Sequence, residues 1–159
     1  MKKTFTGLSA LVLAGAVGST TLAQEDAAIE AALKARQSHM QLYAFNIGLL
    51  GGMAKGEIEY DADTASAAAG NLAALAKLDQ SRYWPEGSST LELSPDQTSA
   101  LPDIWDDDSD IGEKAMDLVE ATAEMETAAG DGLDSLRGAI GAVGESCSGC
   151  HKPYRQSDD

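Results

Sequence analysis

Leu133-Asp-Ser-Leu136-Arg-Gly-Ala-Ile140-Gly-Ala-Val143-Gly-Glu-Ser-Cys147-Ser-Gly-Cys150-His151 is the stretch whose reading decides the fold. Its apolar residues recur at steps of three and four, the period of one helix face, and the two cysteines continue that stripe. A helix is expected from about Leu133 onward, with Cys147 and Cys150 turned toward a core. Residues three and four apart on a helix share a face, so Cys147, Cys150 and His151 project to the same side. Ser148 and Gly149 between them are small and leave that side open.

Cys-x-x-Cys-His is the attachment signature of c-type haem. Two thioether bonds would fix the porphyrin edge, and the His151 imidazole would come up beneath the iron as axial ligand. Other readings are weaker. A thioredoxin-type pair sits where a strand enters a helix, and no strand precedes Cys147. A zinc site needs about four ligands. The chain offers only Cys147, Cys150, His151 and His39, and Cys150 and His151 are adjacent. A disulfide across so short a loop gains little closure entropy. One covalent haem c per chain is the expected cofactor.

Three further stripes lie upstream. Over residues 25–55, Ile29, Leu33, Arg36, Met40, Tyr43, Ile47, Leu50 and Ala54 share one face, and Gly51, Gly52 and Gly56 weaken the end. A second helix, capped by Asp61 or Asp63 and running to about residue 78, carries Ala65, Ala68, Leu72 and Leu75. Its many alanines allow close approach of a neighbouring helix or a flat cofactor. A third, over 109–128, carries Ile111, Ala115, Leu118, Thr122 and Met125 before Gly130-Asp131-Gly132 breaks the chain. Residues 79–108 form a loop of about thirty residues holding three of the four prolines and both tryptophans. Loops beyond ~12–15 residues are uncommon unless functional or disordered. Trp84 and Trp105 argue for a loop packed over something apolar. The fold class is therefore all-α, an antiparallel four-helix bundle with one long loop between helices 2 and 3. Such a bundle builds cofactor sites in its core.

The first residues read as an address. Lys2 and Lys3 precede a short apolar run over 8–17, and Thr21-Leu22-Ala23 offers a cleavage site, so residues 1–23 are expected to be a signal peptide that is removed. The remaining residues, 24–159, suit one domain, since domains commonly run to ~100–150 residues. No membrane anchor is expected after cleavage. The net charge of −15 becomes more negative once Lys2 and Lys3 leave. Nucleic acid is excluded as a partner, because binding it needs a concentrated basic face. The acidity reads first as a solvated surface, with a docking face for a basic redox partner as the sharper alternative.

The chain resembles the class II c-type cytochromes, cytochrome c′ and its low-spin relatives of the c-556 type. The resemblance rests on the segment 141–155 around the haem motif, on Lys34-Ala-Arg-Gln-Ser-His-Met40, and on Gly51-Gly-Met-Ala-Lys-Gly-Glu57 and Pro102-Asp-Ile-Trp105. It implies a homodimeric bundle in the periplasm. It also implies that Arg36 and Gln37 lie near the haem propionates, that Arg155 sits beside the His151 imidazole, and that Gly87 and Ser88 contact the haem edge. The alternative for Arg36 is a stem buried along the bundle with its guanidinium in water. Pro153 departs from the pattern, since it removes a backbone hydrogen bond in the last turn and biases Lys152 away from helix.

Two functions of different class follow. One is an electron carrier exchanging electrons with periplasmic redox proteins; the other is a five-coordinate haem that captures nitric oxide or carbon monoxide. An enzyme is not expected, because no distal His-plus-Arg pair is apparent. Met40, which the resemblance places over the distal haem face, separates the two: it is a sixth iron ligand or a flexible gap-filler. His39 reads as a solvated neighbour of the stripe. Leu42, Phe45 and Leu49 form an apolar row outside it, either a dimer interface or a face buried under the long loop.

Overall fold

The computed structural model describes residues 18–157. The leader expected at 1–23 falls outside them, except that the backbone from residue 18 already belongs to the first helix. The helices are α1 (Gly18–Lys55), α2 (Ala62–Ala76), α3 (Ile111–Ala128) and α4 (Leu133–Tyr154), with 3₁₀ turns at Ser81–Tyr83 and Pro102–Trp105 in the long connection. Among the described residues there is no strand, only an isolated antiparallel bridge between Ala100 and Arg155.

Local chemistry sets the ends. Gly56, at φ +79°, stops α1 in the left-handed region that glycine reaches without penalty. The amides of Glu57 and Ile58 then turn back to donate to the Gly52 carbonyl at 2.9 and 3.1 Å. That fold-back lays Ile58 against Gly52, where an added Cβ would meet the isoleucine side chain at 2.6 Å. Of the two caps considered for α2 it is Asp61 that serves, its carboxylate accepting from the Thr64 amide at 2.8 Å.

Each helix packs against the next and α1 closes on α4, giving the ring of a four-helix bundle. Leu50, Met53, Leu72, Met125, Leu136 and Val143 fill its centre, fully buried. The alanine-rich face of α2 (Ala65, Ala68, Ala69, Ala73) is buried too, so its small side chains let the neighbouring helices approach closely. The Tyr60 hydroxyl donates to the Ala129 carbonyl and accepts from the Gly132 amide, tying the start of α2 to the α3–α4 turn. A second, smaller cluster of Ala100, Ile104 and Tyr154, with Trp84, Trp105, Ile111 and Cys150 packed on it, seats the long loop on the end of α4.

Two expectations are corrected. Pro153 does not draw Lys152 out of the helix: α4 runs through both to Tyr154, and the Arg155 amide still reaches the His151 carbonyl at 3.0 Å. The loop supplies the compensation, with the Leu101 amide donating to the Tyr154 carbonyl at 3.0 Å and the Gln156 amide to the Ser99 carbonyl at 2.8 Å. His39 is not solvated but 4 % exposed, because α1 turns it toward Tyr43 and Tyr83 rather than outward. Among the described residues no helix is long and apolar enough to cross a membrane.

Candidate haem site

A cavity of about 900 Å³ opens between the helices and the long loop. α4 contributes Cys147, Cys150 and His151, α1 contributes Met40, Tyr43 and Ile47, and Trp84, Ile104 and Trp105 wall it from the loop. Small-molecule and cofactor sites commonly span ~300–1,000 Å³, so this one is at the upper end, as a porphyrin requires. Its lining is mostly apolar, with Ile111, Leu118 and Val119 of α3 completing it.

The donor set fits a covalent haem. Both thiols are free and half-buried, and burial pushes each above its ordinary value. The His151 imidazole is held below its ordinary value, by burial first and then by the charge of Arg155, which keeps the ring neutral and able to ligate. Arg155 is joined to His151 through the backbone, its amide donating to the His151 carbonyl at 3.0 Å. No group of three or more His, Cys, Asp or Glu side chains among the described residues is arranged to hold a metal ion by itself.

Arg36 lies beside the cavity rather than on it. Only 6 % exposed, it donates from Nη1 to the Tyr83 carbonyl (3.5 Å) and Ser88 Oγ (3.4 Å), and from Nη2 to the Ser88 carbonyl (3.3 Å) and Thr98 Oγ1 (2.9 Å). Its guanidinium stacks on Trp84 at 4.5 Å, a cation–π contact with a residue that does wall the cavity. The reading with the guanidinium in water is thereby overturned, and burial lowers its proton affinity. Gln37 is exposed and donates to the Gln97 carbonyl at 2.9 Å. Ser88 is fully buried in the Arg36 knot, and Gly87, at φ +78°, makes the turn that leads into it. Gln37, Gly87 and Ser88 thus gather around Arg36 and the loop, and none of them lines the cavity.

Sequence reasoning missed several neighbours. Tyr154 is buried; its hydroxyl donates to Asp110 Oδ1 at 2.5 Å and accepts from the Asp110 amide at 2.9 Å. Its spacing of three from His151 was a usable signal, because i,i+3 residues share a helix face. Thr98, in an aperiodic loop, carried none, and neither did Lys114, which lines the cavity but reads in sequence as an ordinary exposed helix charge. Among the described residues, His39 Nε2 and the Tyr43 hydroxyl are buried without a partner at hydrogen-bonding geometry, and burial, opposed by the nearby Gln80 side chain, pushes the Tyr43 hydroxyl up to about 12.

An apolar cavity in a four-helix bundle, faced by Cys-x-x-Cys-His at the end of its last helix, defines a c-type haem protein of the bundle class. Residues 31–155 match the family described as cytochrome C′. A cytochrome c-554 of Cereibacter sphaeroides is 43 % identical over 135 residues, covering 85 % of this chain and all of that protein. Among solved structures, a cytochrome c′ from Rhodobacter Spheriodes superposes with a TM-score of 0.77 at 38 % identity, over 81 % of this chain and 98 % of that one. Another cytochrome c′, described as having an unusual ligand-controlled dimer dissociation, gives 0.72 at 25 % identity over 81 % and 97 %. The chain belongs to the cytochrome c′ family, and its cofactor is covalent haem c.

Proposed function

We propose that the protein is an exported electron carrier, its haem held by thioethers at Cys147 and Cys150 with His151 as axial ligand and Met40 as the sixth. The observation that carries this reading is that Met40, Cys147, Cys150 and His151 line one cavity. When bound, the haem supplies the ferric–ferrous couple. The chain's residues hold it, shield it with Trp84, Ile104 and Trp105, and keep its surroundings apolar, which is how a protein tunes such a couple. Arg36, with Gln37, Gly87 and Ser88 around it, supports the propionate side, and Arg155 accompanies the imidazole. No substrate is turned over.

In this reading residues 1–23 direct export and are removed, and 24–159 act in the periplasm. Redox partners there meet a chain more negative than the −15 of the full sequence, since Lys2 and Lys3 leave with the leader, which favours a basic docking face. A second copy covers the row on α1, where Leu42 is 51 % and Phe45 74 % exposed, although Leu49 packs on the core. One solved relative is described as having an unusual ligand-controlled dimer dissociation.

Absorption spectra of the ferric and ferrous protein test the ligand set. Met40 ligation gives a low-spin ferric spectrum with a weak sulfur-to-iron charge-transfer band at the red end. Met40→Ala then turns the protein high-spin and opens it to carbon monoxide. A wild type already high-spin, and unchanged by that substitution, removes Met40 from the iron and leaves the five-coordinate, nitric oxide- or carbon monoxide-binding haem as the function.

A further inference from the structure

Pro153 has no N–H, so the helix that carries the haem motif lacks the bond residue 153 would give to the Gly149 carbonyl, and its last turn begins from a deficit. The turn holds because the loop segment 98–101 lies alongside it. The Leu101 amide donates to Tyr154, the Gln156 amide donates to Ser99, and Ala100 bridges Arg155 in antiparallel fashion. On its other side the same segment is fastened by the Thr90 amide, which donates to the Ala100 carbonyl at 2.9 Å.

The fastening ends in one hydroxyl. Thr98, 4 % exposed, accepts from Arg36 Nη2 at 2.9 Å and from the Ala100 amide at 3.1 Å, and donates to the Ser88 carbonyl at 3.3 Å. Every hydrogen-bonding capacity a hydroxyl commonly uses is engaged there. One partner is a buried guanidinium anchored on α1; the next is the segment that holds residues 154–156. A charge-assisted hydrogen bond of that kind is among the stronger ones a neutral oxygen makes. The contacts run without a gap from α1 to the residues three to five positions after His151.

We propose that Thr98 is a positioning residue for His151: its hydroxyl carries the fixed position of Arg36 to segment 98–101, which holds the backbone bearing the imidazole. This rests on haem being held by Cys147, Cys150 and His151. The orientation of an axial imidazole is one of the levers a protein has on haem iron, and groups behind a ligand commonly set it.

The test compares Thr98→Val, which keeps the shape and removes the hydroxyl, with Thr98→Ser, which keeps the hydroxyl, both as holoprotein. Two readouts are taken: the iron–imidazole stretching band of the ferrous form, recorded with Met40→Ala added throughout so that no sixth ligand silences it, and amide hydrogen exchange at Leu101, Gln156 and Leu136. T98V is expected to shift or broaden the band and to speed exchange at Leu101 and Gln156 by about tenfold, leaving Leu136 in the body of α4 unchanged. T98S is expected to match wild type in both. An unmoved band in T98V, even with faster exchange, overturns the proposal, because the hydroxyl then only stabilises the loop. So does T98S behaving like T98V. If T98V yields no folded holoprotein, wild-type exchange decides. Leu101 and Gln156 protected as slowly as α4 supports the strap, and free-loop rates at either overturn it. Haem extracted by acid-acetone sinks the attachment reading separately, while the amide pattern still reports on the strap.

Discussion

Burial keeps the His39 imidazole neutral, lowering its proton affinity despite the nearby Leu75 carbonyl. The sign of its contribution follows. Above the ordinary histidine value, about 6.5, both folded and unfolded chains hold it neutral and nothing is gained or lost. As pH falls below that value the unfolded chain takes up the proton first, so stability declines with acidification. The thermal midpoint of the wild type should therefore drop between about pH 7 and 5.5, and His39→Asn should flatten that drop. An unchanged slope in the variant would show that His39 is protonated equally in both states. Its burial could not be read from the sequence, because it sits one position off the stripe traced by Arg36 and Met40. The pull comes from Tyr43 and Tyr83, whose rings lie 4.7 and 5.6 Å away. Arg36 was legible as an anomaly, a cation on an apolar stripe. That its donors are taken up by Tyr83, Ser88 and Thr98 depends on where a distant loop settles.

The helices were the legible elements, since a repeat of three and four survives in sequence wherever one face is buried. The stripe Leu133, Leu136, Ile140, Val143, Cys147 gave α4 its start, and Asp61 gave α2 its cap. The period says nothing of contacts across elements, which is why Pro153 misled. The cost of its missing N–H is real, but it is met by Leu101 and Ser99, some fifty residues away in the chain. The loop was read correctly as packing over something apolar, for Trp84 and Trp105 wall the cavity and the Trp105 indole donates to the Trp84 carbonyl at 3.1 Å. Its two short helical turns carried no periodic signal. At this scale the most informative substitution is Leu136→Ala, which empties a site of no exposure at the bundle centre. It should cost about 2–5 kcal/mol in denaturant unfolding without altering the haem spectrum. A spectral change on that substitution would mean that the core and the cavity are not separable.

For the whole molecule, family membership, the bundle and the haem stand together, and the surface decides what meets it. Phe45 and Leu42 remain exposed on α1, uncovered by the long loop, so the row keeps its reading as an interface. Phe45→Asp should convert a dimer at micromolar concentration into a monomer in sedimentation, because a carboxylate there would be desolvated by a second copy. A wild type already monomeric at that concentration would contradict the assignment. Acidity was visible at once in the composition, but the distribution of charge over the faces was not, since it depends on which side each helix turns outward.

All of this depends on haem being bonded to the chain through Cys147 and Cys150. The direct measurement is acid-acetone extraction of the purified protein, paired with haem staining after denaturing electrophoresis, on wild type and on the Cys147→Ala, Cys150→Ala double variant. Thioethers do not exchange, so the wild type should retain its haem through both treatments, and the double variant should yield no stable holoprotein. Haem that leaves the wild-type chain in acid-acetone, or zinc bound in its place, would contradict the assignment.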